Sequence, residues 1–281
     1  MRDRSLSLRQ FFAKYVTAEA RARDPRLERA FAAVKRETFA GPGPWSISIP
    51  GAGYITTPDD DLAFLYQDTL VALDPARGIN IGQPSAHARW LDALGSREGE
   101  CVLQVGAGTG YYTSILAHLV GEAGHVHAFE IDEGLAERAR ENLRGLSQVS
   151  VHARSGIADD LPEVDAVYVC AGISAPCRAW LGCLRPGGRL VFPLQAADAA
   201  GGMLMIRRPE RGSIWPARFI SRAWFIPCAA PPDDEAGRRL TQVFAKGDAG
   251  HVQSFRTDGP IDETCWHAGE GWWLSTAAPT K

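Results

Sequence analysis

Apolar positions change their period along this chain. Leu8, Phe11, Phe12, Tyr15 and Val16 recur at helical spacing, which predicts an amphipathic helix over residues 6 to 23. Asp24 and Pro25 open a second helix running to Ala33, with the aspartate as cap and the proline at the first helical position. From 40 to 60 the periodicity stops, and GPGPW, IPGAGY and TTPDD read as an ordered loop region. Pro84 then starts a helix, PSAHARWLDAL, that ends at Gly95.

From residue 101 short apolar runs alternate with helical segments. CVLQVG is a buried strand, YYTSILAHLVG a helix, HVHAFE a strand, and DEGLAERARENLRGL a helix whose acidic start and basic later turns suit the macrodipole. VSVHA, DAVYVCAG, the helix SAPCRAWLGCL, the turn RPGG and the strand RLVFPL follow. Continuous apolar strands alternating with helices predict an α/β fold: a doubly wound, mostly parallel, Rossmann-like sheet. GMLMIRR and ARFISRAWFI are expected as antiparallel strands at its edge. After Pro231-Pro232, the helix EAGRRLTQVFAKG and the Trp-rich CWHAGEGWWLS form an appendage. The expected division is a domain over 1–230, helical and looped to 98 and carrying the core from 99, with a tail over 231–281.

Composition narrows the function. The 281 residues are 45% hydrophobic and 22% charged, which is ordinary for a globular chain. A net charge of −3 with scattered basic residues gives no case for nucleic acid. No apolar run approaches the length of a membrane span, and the N-terminal MRDRSLSLRQFFAKYV lacks the unbroken apolar core of a signal peptide. The six cysteines form no CxxC pair, so a reduced, cytoplasmic protein is expected. Seven dispersed histidines, with His125 and His127 alternating along a strand, give no metal-ligand spacing.

The chemistry concentrates at strand–GAGTG–helix. Gly106, Gly108 and Gly110 stand at the carboxyl end of the first core strand, where open α/β sheets bind ligands. Glu130, twenty-four residues after Gly106, ends the next strand and can accept hydrogen bonds from both hydroxyls of a ribose. Dinucleotide oxidoreductases share such a loop. Here the spacing is G-x-G-x-G, Tyr111 stands where the dinucleotide fingerprint needs a small residue, and about a hundred residues precede the loop. With the later DAVYVCAG and RPGG-RLVFPL, which resemble the fourth and fifth strands of class I methyltransferases, these features favour S-adenosyl-L-methionine over NAD.

The segments VLQVGAGTGYYTSILAHLVG, VHAFEIDEGLAERARENL, VSVHARSG, DAVYVCAG and CLRPGGRLVFPL, with AFAAVKRETF upstream, resemble the protein-L-isoaspartate O-methyltransferase family over about residues 26 to 230. The resemblance implies a class I, S-adenosylmethionine-dependent enzyme that methylates the free carboxyl of isoaspartyl residues. It implies cofactor contacts from Gln83 and His87, from Gln104 in the place of an acid, and from the loop Gly106, Ala107, Gly108, Thr109, Gly110 and Tyr111. It further implies contacts from Glu130 and Ile131, from Ser155 and Gly156 in the place of Gly-Asp-Gly, and from Ala171. The family's Gly-x-Thr-Ile-Ser-x-Pro appears as Gly78-Ile79-Asn80-Ile81-Gly82-Gln83-Pro84, so Asn80 and Gly82 replace two hydroxyl residues.

A carboxylate nucleophile is ionised at neutral pH, so methyl transfer to it needs positioning rather than a general base. Asn80, Gln83, Ser85 and the backbone N–H of Gly82 are the expected acceptor-side groups. The acceptor is then a protein or peptide carboxylate, isoaspartyl or otherwise, or a small-molecule carboxylate. The rival readings are a cofactor-binding protein without catalysis and a nicotinamide-dependent oxidoreductase. Trp266, Trp272 and Trp273 are expected either as a lid over the substrate cleft or as an apolar edge packed on the sheet or at a dimer interface.

Overall fold

A computed structural model describes residues 4–197, 199–228, 234–257 and 259–279. Pro231 and Pro232 lie outside the described residues. The chain forms two compact units: Met1–Glu100 with Ala107–Arg154, and Cys101–Gly106 with Ser155–Lys281.

The first unit opens with α1 (Arg4–Ala20), which buries Phe12, Ala13, Val16 and Ala20. α2 (Pro25–Ala33) starts as expected, with the Asp24 side chain accepting the Arg26 N–H. A short α3 (Arg36–Ala40) follows. The region 40–60 is more than loop: β1 (Ser46–Ile49) and β2 (Gly53–Thr56) form an antiparallel hairpin. Each strand has four residues, too few for alternation to stand out, yet both carry isoleucines that favour a pleated strand. After α4 (Leu62–Leu65), the ribbon of β3 (Ala72–Asp74) and β4 (Ile79–Asn80) leads to α5 (Pro84–Leu94), which Gly95 ends in the left-handed conformation.

The chain then gives β5 (Cys101–Val105) to the second unit and returns to the first with α6 (Tyr111–Val120), β6 (His125–Glu130), α7 (Glu133–Leu143) and β7 (Val149–Ala153). β6 and β7 pair in parallel, and Asp132 caps α7 by accepting the Leu135 N–H.

The second unit continues with β8 (Val164–Val169), α8 (Arg178–Cys183), β9 (Leu184–Leu194), β10 (Gly201–Arg207), β11 (Ile214–Ala223), α9 (Asp234–Lys246), β12 (Ser254–Arg256), β13 (Cys265–Gly269) and β14 (Trp272–Ser275). β5, β8 and β9 are parallel neighbours. β10 and β11 extend the sheet antiparallel, as expected, and β12, β14 and β13 continue it in that order. Two boundaries differ from expectation. α8 begins at Arg178 rather than Ser174, because Pro176 disfavours a helical Ala175. RPGG lies inside β9 rather than before it, and a register shift between Val164 and Ala166 absorbs the irregularity.

The tail residues are therefore sheet residues. Trp266 packs edge-on against Phe219 of β11 and Phe244 of α9, while Trp272 and Trp273 are buried in β14.

Candidate functional site

The stretch Gly78 to His87 is built around two small turns. Asn80 Oδ1 accepts the Gly82 N–H at 2.8 Å, and Asn80 Nδ2 donates to the Gly78 carbonyl at 3.0 Å. Gly82 has φ +83°, and a Cβ placed there would lie 2.4 Å from His87 Nε2. Glycine is required twice over, by the backbone and by the ring beside it. His87 is buried and stacks on Tyr112 with centroids 3.6 Å apart and planes 4° from parallel. The Tyr112 hydroxyl donates to the Gly82 carbonyl at 3.2 Å. Burial, with the nearby Arg36 charge, pushes the His87 pKa down to about 3, so the ring is neutral at physiological pH.

The N-terminus of α5 is held by a residue seventeen positions upstream. Asp68 accepts the Ser85 N–H at 2.8 Å, the Ser85 hydroxyl at 2.6 Å and the Gln83 amide at 3.0 Å. Gln83, at the cap position, makes no side-chain cap itself. Asp68 is fixed in turn by Arg36, which donates to the carbonyls on either side of it, Gln67 at 2.9 Å and Thr69 at 2.8 Å. The Arg36 guanidinium lies over the Phe12 and Tyr111 rings, and the adjacent Glu37 accepts the Tyr66 hydroxyl. Asn80 is thus tied directly to Gly82, and Gln83 and Ser85 are tied to each other through Asp68. Asp68 and Tyr112 are missing from the expected residues. Asp68 has no local spacing that announces it, whereas Tyr112 is visible beside Tyr111.

In the glycine loop, Gly106, Gly108 and Gly110 all take positive φ. At Gly110, the N-cap of α6, a Cβ would lie 2.7 Å from Leu143 Cδ1, so only glycine lets the helix start this close to α7. Ala107 donates its N–H to the Phe129 carbonyl at 3.1 Å, and the Thr109 hydroxyl donates to the Phe39 carbonyl at 2.8 Å. Glu130 accepts the Gly108 N–H at 2.8 Å through one oxygen and the Asp132 N–H at 3.0 Å through the other. A carboxylate has about four acceptor sites, so both oxygens keep capacity for a ligand. Ile131 beside it is 56% exposed, an apolar surface at the edge of the loop. The Tyr111 side chain lies in the core against Phe31, Phe39 and Tyr112, where burial raises its pKa and its hydroxyl finds no partner among the described residues. Its ring packs there because Arg36 and three aromatic rings enclose it.

In the second unit, Gln104 is buried with its amide 3.9 Å from the Cys170 sulfur, and a Cβ at Gly106 would lie 3.2 Å from the Cys170 carbonyl. The Ser155 hydroxyl accepts the Ile157 N–H, and the Gly156 carbonyl accepts the Trp180 indole N–H at 2.8 Å. Ala171, two residues beyond β8, is half-buried.

The family model for protein-L-isoaspartate(D-aspartate) O-methyltransferase matches residues 48–230. The protein-L-isoaspartate O-methyltransferase of Anaeromyxobacter dehalogenans (strain 2CP-C) is 39% identical over 156 residues, 51% of this chain and 72% of that protein. The chain belongs to this family. A second relative, from Anaeromyxobacter sp. (strain Fw109-5), is 31% identical over 207 residues, covering 70% of this chain and 76% of its own. The enzyme of that name from Aeropyrum pernix is 35% identical over 151 residues, 52% of this chain, and the match spans only 57% of its length. A solved protein-L-isoaspartate O-methyltransferase shares the fold with a TM-score of 0.64 at 21% identity, over 85% of this chain and 69% of its own. A structure from Plasmodium falciparum, described as a putative protein-L-isoaspartate O-methyltransferase in complex with S-adenosyl-L-homocysteine, has a TM-score of 0.61 at 18% identity, over 78% and 97% of the two chains. The fold is thus the α/β class I methyltransferase fold. The family match ends at residue 230, so α9 and β12 to β14 lie beyond it.

Proposed function

We propose that this chain is an S-adenosyl-L-methionine-dependent methyltransferase acting on a protein carboxylate of the isoaspartyl kind, with S-adenosyl-L-homocysteine as product. The observation that carries it is the Glu130 carboxylate fixed to the Gly108 N–H at 2.8 Å, in a chain of this family. The residues present suit the cofactor. The buried Glu130 oxygens suit ribose hydroxyls, the exposed Ile131 suits an adenine face, and the start of α6 offers backbone N–H groups and a favourable dipole to a carboxylate. Gly106, Ala107, Gly108, Thr109 and Gly110 are the proposed loop contacts, with Gln104, Ser155, Gly156 and Ala171 as further ligands.

When bound, S-adenosylmethionine supplies a methyl group on a cationic sulfur, open to in-line displacement. The protein's task is to align the acceptor oxygen and exclude water, since a carboxylate needs no deprotonation at neutral pH. His87, neutral and stacked on Tyr112, is suited to holding the Gly82 turn rather than to moving a proton.

The acceptor loop supports a second reading of the acceptor itself. Position 82 has no hydroxyl, and the polar groups of Asn80, Gln83 and Ser85 are engaged by Gly78, Gly82 and Asp68. A different peptide or a small-molecule carboxylate fits that altered loop. The proposed compartment is the cytoplasm, supported by six cysteines of which none forms a disulfide. Among the described residues no helix is long and apolar enough to cross a membrane.

The test is incubation with labelled cofactor and an isoaspartyl peptide, then with other carboxylate acceptors. A methyl ester released by mild base is expected, and no base-labile product from any carboxylate would overturn the proposal. Glu130→Gln should weaken S-adenosylhomocysteine binding about tenfold, as expected for loss of a charge-assisted hydrogen bond. Calorimetry showing unchanged affinity would remove Glu130 from the site.

A further inference from the structure

The segment beyond the family match does more than lengthen the sheet. Together with the chain that follows β8, it encloses a cavity of about 760 Å³, within the range of about 300–1,000 Å³ typical of ligand sites. One wall, Ser174 to Leu181, begins three residues after Ala171, at the carboxyl end of a parallel strand where α/β sheets receive ligands. The other wall is α9 and the hairpin of β13 and β14.

The floor is buried and aromatic. Phe255, His267 and Trp272 are all buried; Trp272 stacks on Phe255 and meets the His267 ring edge-on. Burial and the Arg239 charge push the His267 pKa down to about 4, leaving a neutral ring. The rim is polar. Arg239 is bound by Glu235 at 2.7 Å, but Arg178 has no ion-pair or hydrogen-bond partner among the described residues. Its Nη2 reaches the turn of the hairpin, 3.6 Å from where a Cβ at Gly271 would stand. Glu270 on that turn is exposed to solvent. An unpaired guanidinium beside an apolar aromatic floor is complementary to a carboxylate carried next to an apolar side chain. β13 is also the last strand of the sheet, so its outer backbone offers pairing to an extended chain.

We infer that this cavity binds an acidic, extended segment of the acceptor peptide, with Arg178 taking a carboxylate and Trp272 an adjoining apolar side chain. The inference rests on the reading that the acceptor is a protein or peptide. It makes α9 and β12 to β14 a specificity element of this chain.

The probe is a fluorescent peptide of alternating glutamate and leucine, without isoaspartate, titrated into the full chain and followed by anisotropy. It should bind about tenfold more tightly than a lysine–leucine peptide, the range of a single close charge pair. Arg178→Glu should remove that preference while leaving S-adenosylhomocysteine affinity intact. Arg178 is an exposed side chain, so the variant folds, and its melting temperature checks this. In turnover, isoaspartyl peptides with acidic flanks should show a lower KM than neutral ones, and Arg178→Glu should erase the difference without changing kcat. Equal binding of the acidic peptide to both proteins, or equal KM values for acidic and neutral flanks, would overturn the assignment. An intact binding preference without methylation of either peptide would leave the cavity assigned and defeat the methyl-transfer reading instead.

Discussion

At the scale of single residues, the loop from Gly78 to Ser85 shows why position 82 is a glycine. A serine at position 82 would need a left-handed backbone, costing about 1–2 kcal/mol, and its Cβ would meet a stacked, buried imidazole at 2.4 Å. Gly82→Ser should therefore destabilise the protein by about 3 kcal/mol, combining strain with overpacking of about 1–3 kcal/mol. In the double variant with His87→Ala the clash disappears, so urea unfolding should show the two substitutions coupled by about 1–2 kcal/mol. Simple additivity would refute the contact. The same histidine sets a pH dependence. Its folded pKa, about 3, lies below the ordinary 6.5, so the unfolded chain binds a proton that the native one refuses. His127, lowered to about 4 chiefly by burial, acts in the same direction, as does His267. Their stabilisation is complete above pH 6.5 and is lost as pH falls from there toward 3 to 4. Each group steepens the fall by at most about 1.4 kcal/mol per pH unit. Unfolding free energies measured from pH 7 to 4 should decline, and His87→Leu should flatten the slope. An unchanged slope in that variant would show that His87 titrates normally.

At the scale of elements, local chemistry was legible and distant support was not. The cap at Asp24, the stop at Gly95 and the glycine turn into α6 follow from rules that act within a few residues. The frame of glycine, isoleucine and proline in the loop from Gly78 to Ser85 was legible. What holds it there was not, because Asp68 caps α5 across seventeen residues and Arg36 fixes Asp68 through backbone carbonyls that carry no sequence signal. Adjacent tyrosines at a helix start point in different directions, so the Tyr111 ring enters the core while the Tyr112 hydroxyl reaches Gly82. Arg36 makes the dependence testable. Arg36→Met keeps much of the stem against Phe12 and Tyr111 but removes two charge-assisted hydrogen bonds, so a loss of about 3 kcal/mol is expected. Hydrogen exchange should rise at the Ser85 amide in that variant. A Ser85 amide as protected as before would mean that Asp68 holds its place without the clamp.

At the scale of the whole molecule, the sequence pattern separated a core from a tail, and the sheet does not. Alternating apolar runs marked the parallel strands correctly, but β12 has only three residues and β14 four, below the length at which period is readable. Pairing decides their place: Ser254 lies opposite Pro216 of β11, and Phe255 opposite Leu274 of β14. Phe255, Trp273 and Leu274 are buried there, and each such apolar side chain contributes about 1.5–3 kcal/mol. Removing the chain after Cys228 would uncover these contacts and leave β11 as an open edge with Phe219 stripped of Trp266 and Phe244. Exposed strand edges with apolar side chains pair with other chains. The truncated protein should therefore aggregate or melt well below the full chain, seen by size-exclusion chromatography and thermal unfolding, even though all but the last two residues of the family match remain. A truncated chain that stays monomeric and melts at the same temperature would show that the parallel core is stable without its extension, and that α9 and β12 to β14 serve only the cavity they line.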